Sequence, residues 1–364
     1  MPARFVARKA LKLAMLAALA PVSIAASETL HLERLPAEQL AVASPTDRVV
    51  GEPGRMRIAP RACPAGDDAE LRRRIVEIAV QEWGFFGFHV VDQTAMPVDD
   101  RRPDRPWRPV AWLDPAESAR VAASIAGYWA ATADGAWILE RQNAVWQGPA
   151  GIGARWRDPW SAAFVSWVMC ESGIGGDERF RRHIAHHAYI DQAIAARDDP
   201  HLPAAFIAYD VGERAIEPGD LACRVRRAAY RSVADRRDAL GVGVRSHCDI
   251  VVEVDAARER VLAIGGNVRG RVSLKLLPAT FERRGGELVP TTIGRGTRTI
   301  FAHLKLRAPS IEADALARAP TLRALAAESE RLVAVELRLA GGGMPAPAGS
   351  ALDAAAAAGD LASP

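Results

Sequence analysis

The sequence predicts an α+β fold in which helices come first and an antiparallel sheet follows. Two observations carry this prediction. Residues 67–196 contain apolar positions at helical spacing, whereas the chain after Glu217 contains short apolar or alternating runs separated by glycine, proline and charged turns. Helices and strands that are segregated along a chain are typical of α+β domains. We therefore expect one such domain over residues 67–308.

Four helices are predicted in the first half of the domain. The clearest spans residues 67–86, where Asp67 or Asp68 can cap the first turn and apolar residues recur at the spacing of one helix face. The other three are predicted over residues 115–131, 160–173 and 180–196. The proline- and arginine-rich segment 97–109 predicts a surface loop.

Five strands are predicted in the second half. They span residues 221–225, 248–254, 260–264, 272–276 and 299–306. Each run is short, and glycine, proline or charged residues separate it from the next, which is typical of hairpin-connected strands.

The two ends of the chain have the composition of targeting and non-globular segments. Residues 1–26 combine a basic start, a short apolar run and small residues near Ala25, which predicts a cleaved signal peptide and an exported, periplasmic or extracellular protein. The alternatives are an uncleaved anchor or a buried helix. Residues 27–66 are predicted to be a linker. Residues 309–340 are predicted to be a C-terminal extension, helical over 312–330 with a strand over 332–339, and residues 341–364 a disordered tail.

The charge balance argues against a nucleic-acid or membrane-surface partner. The chain has 47 basic and 44 acidic residues, a formal net charge of +3. Four of the basic residues lie in the predicted signal peptide, so the rest of the chain is close to neutral. No membrane span is expected after signal cleavage.

Four cysteines offer up to two disulfides in an exported protein. Cys223 and Cys248 are the best candidates for a pair, because each lies in an apolar run that reads as a strand. Four buried free thiols are the alternative.

The segment from Asp158 to Met169 carries the clearest functional signal. Pro159-Trp160-Ser161 reads as a turn that leads into a buried helix, so Ser161 stands at the helix start. Backbone N–H groups there are unpaired and can bind an oxyanion. His247 opens a predicted strand and Asn267 lies in or after the next one, which predicts a nucleophile, a base and a group that orients the base.

Four segments in this order resemble a known superfamily. They are the Pro159-Trp160-Ser161 helix, Pro218-Gly219-Asp220-Leu221, the strand from Ser246 to Val254, and Gly265-Gly266-Asn267. Together they look like the NlpC and CHAP papain-like peptidoglycan hydrolases. The serine form, with the segment Ala185–Ile190, resembles the uncharacterised domain family numbered 2272. The resemblance implies a papain-like α+β fold and a cell-wall substrate, with His247 as catalytic histidine and Asn267 as its partner.

This chain departs from the papain-like pattern at Ser161, where those enzymes have cysteine. Cys170 lies on the far face of the same helix, Cys248 faces away from His247, and Cys63 precedes the domain, so none is expected to replace it. Serine requires a base that removes its proton during attack. Its alternative role is the cap of a buried helix.

Three aromatic or imidazole side chains are predicted to line a substrate groove: Trp156, Trp160 and His186. The spacing of His183, His186 and His187 allows zinc binding on one helix face, but no further ligand is apparent, and we predict no metal and no cofactor. The expected function is a peptidoglycan amidase or endopeptidase acting on a peptidoglycan or peptide substrate. The alternatives are a catalytically inactive envelope-binding or scaffold module and an acyltransferase of the same fold.

Overall fold

The computed structural model describes residues 31–95, 113–154, 156–225, 230–327 and 329, and this part of the chain is α+β. The predicted signal peptide, the proline-rich loop 97–109, the strand over 332–339 and the tail 341–364 lie outside the described residues. None of the helices in the described part combines the length and the apolar character that crossing a bilayer requires.

The helices precede most of the sheet, as the sequence predicts. They are α1 (Leu71–Phe85), α2 (Pro115–Ala130), α3 (Gly135–Trp146), α4 (Ser161–Glu171), α5 (His187–Asp198), and the short α6 (Val233–Arg237) and α7 (Ala315–Arg318). The side chain of Asp114 caps α2 by accepting from the N–H of Glu117, and Pro115 occupies the first turn. The prediction missed α3, whose glycine- and tryptophan-containing sequence lacks a clear apolar stripe.

Helix α5 begins seven residues later than predicted, at His187. The N–H groups just before it are paired with side chains instead of with helix carbonyls. The N–H of Arg181 donates to Gln192 Oε1 at 2.7 Å, and that of His183 donates to Ser166 Oγ at 3.1 Å. His183 therefore lies outside the helix, and His183, His186 and His187 do not share one helix face as predicted.

The strands form one large sheet and one small ribbon. They are β1 (Val49–Val50), β2 (Arg57–Ile58), β3 (Val90–Asp92), β4 (Phe206–Asp210), β5 (Leu221–Val225), β6 (Ser246–Asp255), β7 (Arg260–Val268), β8 (Arg271–Arg284), β9 (Glu287–Ile293) and β10 (Ala302–Leu306). The large sheet runs β3-β8-β7-β6-β5-β10-β4, and β9 pairs with β8. Only β3 pairs in parallel among these described strands.

The two faces of the sheet have separate cores. Cys248, Ile250 and Val252 belong to the cluster that also contains the buried side of α4, whereas the alternate residue Val251 belongs to a smaller cluster on the other face. The close packing of α4 on β7 requires glycine, because a Cβ at Gly266 would lie 2.6 Å from Phe164 Cβ.

Residues 31–66 are packed against the helices, contrary to the predicted linker. Leu40, Val49 and Met56 are buried. Arg48 forms a buried ion pair with Glu171 at 2.6 Å. The segment has almost no regular secondary structure, so its apolar residues show no periodic pattern from which this packing could be predicted.

Candidate active site

A cleft of about 580 Å³ lies beside the first residue of α4. It contains the predicted residues Ser161, His186, His247 and Asn267. The other lining residues are Val91, Gln93, Pro159, Ile184, Ala185, Arg224, Val244, Arg245, Ser246, Val268, Arg269, Lys275 and Arg298.

Ser161 is partly exposed at the start of an otherwise buried helix. The preceding residue, Trp160, supplies no side-chain cap. Within the described residues, the N–H groups of Ser161, Ala162 and Ala163 have no hydrogen-bond acceptor, because the first α-helical bond of this turn is made by Phe164 to the carbonyl of Trp160. This helix start therefore offers unpaired donors beside the hydroxyl, as an oxyanion site requires.

The hydroxyl of Ser161 contacts His186, and this corrects the predicted pairing with His247. Ser161 Oγ lies 2.7 Å from His186 Nε2. His186 immediately precedes α5 and is 4% exposed. Its position depends on the loop before α5, which packs on α4 through the bonds between Ser166 and His183.

His247 belongs to a separate charged cluster. It shares its strand face with Asp249, and the face that packs on α4 carries Cys248 instead. His247 Nε2 lies 2.8 Å from Asp249 Oδ1 and 2.9 Å from Lys275 Nζ. Lys275 also donates to both oxygens of Asp249, at 2.7 and 2.8 Å. The rings of His247 and His186 are 5.1 Å apart between centroids.

Two donors fix the proton position of His186. The backbone N–H of Cys248 donates to His186 Nδ1 at 3.1 Å, and the hydroxyl of Tyr189 also contacts Nδ1. Burial raises the pKa of Tyr189 well above its usual value, so the phenol keeps its proton. An Nδ1 that accepts from a backbone N–H carries no proton of its own. His186 is therefore protonated at Nε2, and Nε2–H donates to Ser161 Oγ.

Burial also sets the charge of the site. It lowers the pKa of His186 well below the usual value. His247, Lys275 and Arg224 lower this pKa further, and Asp249 opposes the shift. Burial lowers the pKa of His247 to about 4, although Asp249 opposes the shift. Both imidazoles are thus neutral at pH 7.

The Asp249–Lys275 pair stays ionised inside the cleft wall. His247 and Lys275 hold the pKa of Asp249 far below its usual value in spite of burial. Burial lowers the pKa of Lys275, and Asp249 opposes that shift. A Cβ at Gly265 would lie 2.0 Å from Asp249 Oδ1, so only glycine leaves room for this carboxylate.

The comparisons identify a family for this region. The family described as "uncharacterized protein conserved in bacteria (DUF2272)" matches residues 114–299, about half of the chain. The chain belongs to this family. No curated protein and no solved structure matches the chain significantly. The DUF2272 segment contains Ser161, His186, His247 and Lys275, whereas Val91 and Gln93 of the cleft lining lie before it.

Asn267 lies in the cleft of this DUF2272 chain but does not orient a histidine. Within the described residues its side chain makes no hydrogen bond to His247. Its φ of 55° is left-handed, a conformation in which asparagine is favoured among non-glycine residues. The predicted catalytic partner instead lies in an irregular stretch of β7, where the pairing with β8 shifts register between Gly265 and Val268.

The two predicted groove tryptophans are packed away from the cleft. Trp160 is fully buried and stacks on Phe86 and Tyr128, with ring centroids 5.7 and 5.8 Å away. Trp156 packs edge-on against Trp129 and Trp146. The large apolar area of these rings is better buried in the helical core, and His186 alone of the three predicted residues lines the cleft.

Two disulfides form in the described region. Cys223 and Cys248 face each other on β5 and β6 and are bonded, as the sequence suggested. Cys63 and Cys170 form the second pair, which tethers residues 31–66 to α4.

The remaining histidines of the 183–187 segment do not create a metal site. His183 Nε2 lies 3.5 Å from Asp134, and His186 is taken by Ser161 and Cys248. Among the described residues, no group of three or more histidine, cysteine, aspartate or glutamate side chains is arranged to hold a metal ion.

Sequence reasoning missed Asp249, Lys275 and Tyr189 as parts of the site. The proximity of Asp249 to His247 could have been predicted from the sequence, because residues two apart on a strand point to the same face. The contact of Tyr189 with His186 could also have been predicted, since residues three apart in a helix are neighbours on its surface. Lys275 is one lysine on a distant strand, and nothing in the sequence marks it.

Proposed function

We propose that the chain is an exported papain-like domain that hydrolyses an amide bond of peptidoglycan, with Ser161 as nucleophile and His186 as base. The observation that carries the proposal is the 2.7 Å contact between Ser161 Oγ and His186 Nε2 in an open cleft. A nucleophile and an imidazole within hydrogen-bond distance are the minimum for covalent acyl transfer.

The reaction begins when Ser161 Oγ attacks the amide carbonyl and its proton passes to His186 Nε2. The N–H groups at the start of α4 stabilise the oxyanion. The protonated imidazole then gives the proton to the leaving amine. Water attacks the resulting ester with His186 again as base, which frees the carboxylate product and restores Ser161.

The first step requires the lone pair of Nε2, so the resting ring proton must move to Nδ1. The hydroxyl oxygen of Tyr189 can then accept a hydrogen bond from Nδ1–H, but the N–H of Cys248 loses its acceptor. A buried unpaired donor costs about 1–3 kcal/mol, which corresponds to a rate lower by roughly 5- to 150-fold. This loss is small beside typical enzymatic accelerations of about a millionfold or more.

The cell-wall substrate and the exported compartment are proposed on two further grounds. The order of motifs resembles the NlpC and CHAP hydrolases, which act on peptidoglycan. Two disulfides and the lack of a membrane-spanning helix among the described residues are compatible with an exported protein.

The test incubates the protein without residues 1–26 with purified peptidoglycan and measures released fragments by mass spectrometry. Ser161→Ala and His186→Gln are expected to abolish release, while His247→Gln retains part of it. Ser310→Ala, at an exposed serine bonded to Glu217, is the control. Equal release by Ser161→Ala and the unmodified chain would remove Ser161 from the mechanism. Release of fragments only by Ser161→Cys would mean that the chain with serine is catalytically inactive and that the site requires a thiol nucleophile.

The second candidate is a non-catalytic module that binds the cell wall. One observation favours it: the acceptor role of His186 Nδ1 leaves Ser161 with its own proton available for a ligand. This candidate predicts co-sedimentation with intact peptidoglycan, weakened by Ser161→Ala, and no released fragments.

A further inference from the structure

The described charged groups in the cleft wall are all cations. Arg224, Arg245, Arg269, Arg298 and Lys275 line the cleft, and no described carboxylate does. Asp249 lies behind Lys275 and accepts from its ammonium group through both carboxylate oxygens. The charge of Arg224 reaches the centre of the site, since it lowers the pKa of both His186 and His247.

Arg245 and Arg269 flank the place where the sheet opens. Strand β6 begins at Ser246, but its ladder with β7 begins only at Ile250. Arg245 directly precedes β6, and Arg269 directly follows β7. Both are exposed, and neither has a carboxylate within ion-pair distance among the described residues.

Arg269 also occupies a backbone position that suits another residue better. It and Gly270 form the two-residue turn between β7 and β8, with φ values of 54° and 81°. Asparagine, aspartate or glycine is preferred at the first of these positions. An arginine in a strained turn at the rim of a cleft is a reason to look for a function of its side chain.

We infer that the cleft takes an acidic peptide, whose carboxylates pair with Arg245 and Arg269 on either side of the bond that faces Ser161. The inference deepens the proposed function and rests on it for the position of that bond. Guanidinium groups pair with planar carboxylates in a two-bond geometry, and the described residues of the wall include no carboxylate that would repel such a ligand. The unpaired N–H groups at the start of α4 add favourable positive potential beside Ser161.

The test measures binding by the Ser161→Ala chain, which cannot cleave through this serine. The probes are two fluorescent tetrapeptides of equal length, one with two glutamates and one with two glutamines, followed by anisotropy in about 50 and about 300 mM NaCl. The glutamate peptide is expected to bind about tenfold more tightly at low salt and to lose that advantage at high salt. Arg245→Gln and Arg269→Gln are each expected to weaken it by up to about fivefold.

Arg283→Gln is the matched control, because Arg283 is an exposed arginine on β8 that does not line the cleft. Thermal melting of each variant verifies folding. Equal affinity for the two peptides, or equal weakening by the control, would overturn the inference. Stronger competition by inorganic phosphate than by the unlabelled glutamate peptide would overturn it in favour of a phosphate ligand. Binding is measured without cleavage, so the two proposals fail separately. A chain that does not hydrolyse peptidoglycan can still prefer the glutamate peptide, and a chain that hydrolyses peptidoglycan can still lack this preference.

Discussion

The backbone N–H of Cys248 donates to Nδ1 of His186 at 3.1 Å, and this bond determines how His186 faces Ser161. The N–H is available because the paired part of β6 and β7 begins two residues further on, at Ile250. A sheet that opens at one end therefore supplies a backbone donor to a side chain from the helical half of the domain. The bond makes Nε2 the donor to Ser161 in the resting state.

The ring of His186 is expected to be neutral and protonated at Nε2 even at pH 5.5, where a histidine with the ordinary pKa of about 6.5 is mostly charged. Burial is the main cause, because it lowers the pKa of His186 well below that value. Nitrogen-15 NMR of the imidazole rings at pH 5.5 and 7.5 measures this, with His186→Gln used for assignment. A proton on Nδ1 or an imidazolium signal at pH 5.5 would contradict the prediction.

The free energy of unfolding is expected to fall as the pH is lowered from about 6.5 to about 4. His247 has a pKa of about 4 in the folded chain, so the unfolded chain takes up its proton first and gains stability relative to the folded one. The effect is complete near pH 4 and is on the order of 3 kcal/mol. Above pH 6.5 it vanishes, because His247 is neutral in both states.

Denaturant unfolding at several pH values tests this contribution. His247→Gln is expected to have a flatter dependence between pH 6.5 and 5, a range in which most carboxylates stay ionised. Curves of the same slope for the two proteins would show that His247 titrates alike in both states.

Removing the two disulfides separately is expected to destabilise the chain by different amounts. The bonded cysteines are 25 residues apart in Cys223–Cys248 and 107 apart in Cys63–Cys170. The loop-entropy relation gives losses of about 3.5 and about 5 kcal/mol for the paired alanine variants. Denaturant unfolding under non-reducing conditions measures both. A larger loss for Cys223→Ala/Cys248→Ala would mean that local contacts outweigh chain entropy.

Replacing Trp160 is expected to affect stability far more than replacing an exposed tryptophan. Trp160 is fully buried between aromatic rings, so Trp160→Ala leaves a large cavity and costs about 3–5 kcal/mol. Trp137, which is 41% exposed, is the matched control, and Trp137→Ala is expected to cost less than about 1 kcal/mol. Unchanged stability of Trp160→Ala with weakened ligand binding would restore its predicted place in a groove.

Local patterns in the sequence determined much of the framework around the site. Apolar spacing identified α1, α2 and α4, and the turn before α4 placed Ser161 at the first helical residue. Alternation on the strands put Cys223 and Cys248 within bonding distance once β5 and β6 pair. These features depend on residues near one another in the chain or on neighbouring strands, where periodicity is informative.

The identity of the group facing Ser161 was decided only by the tertiary structure. Strand alternation puts His247 on the sheet face away from α4, where Asp249 and Lys275 hold it. The loop before α5 is held on α4 by the hydrogen bond from the His183 N–H to Ser166 Oγ. It places His186 Nε2, instead of His247, beside the hydroxyl of Ser161. Which histidine contacts Ser161 depends on how distant elements pack, because contacts among buried polar groups are set by three-dimensional proximity and not by spacing along the chain.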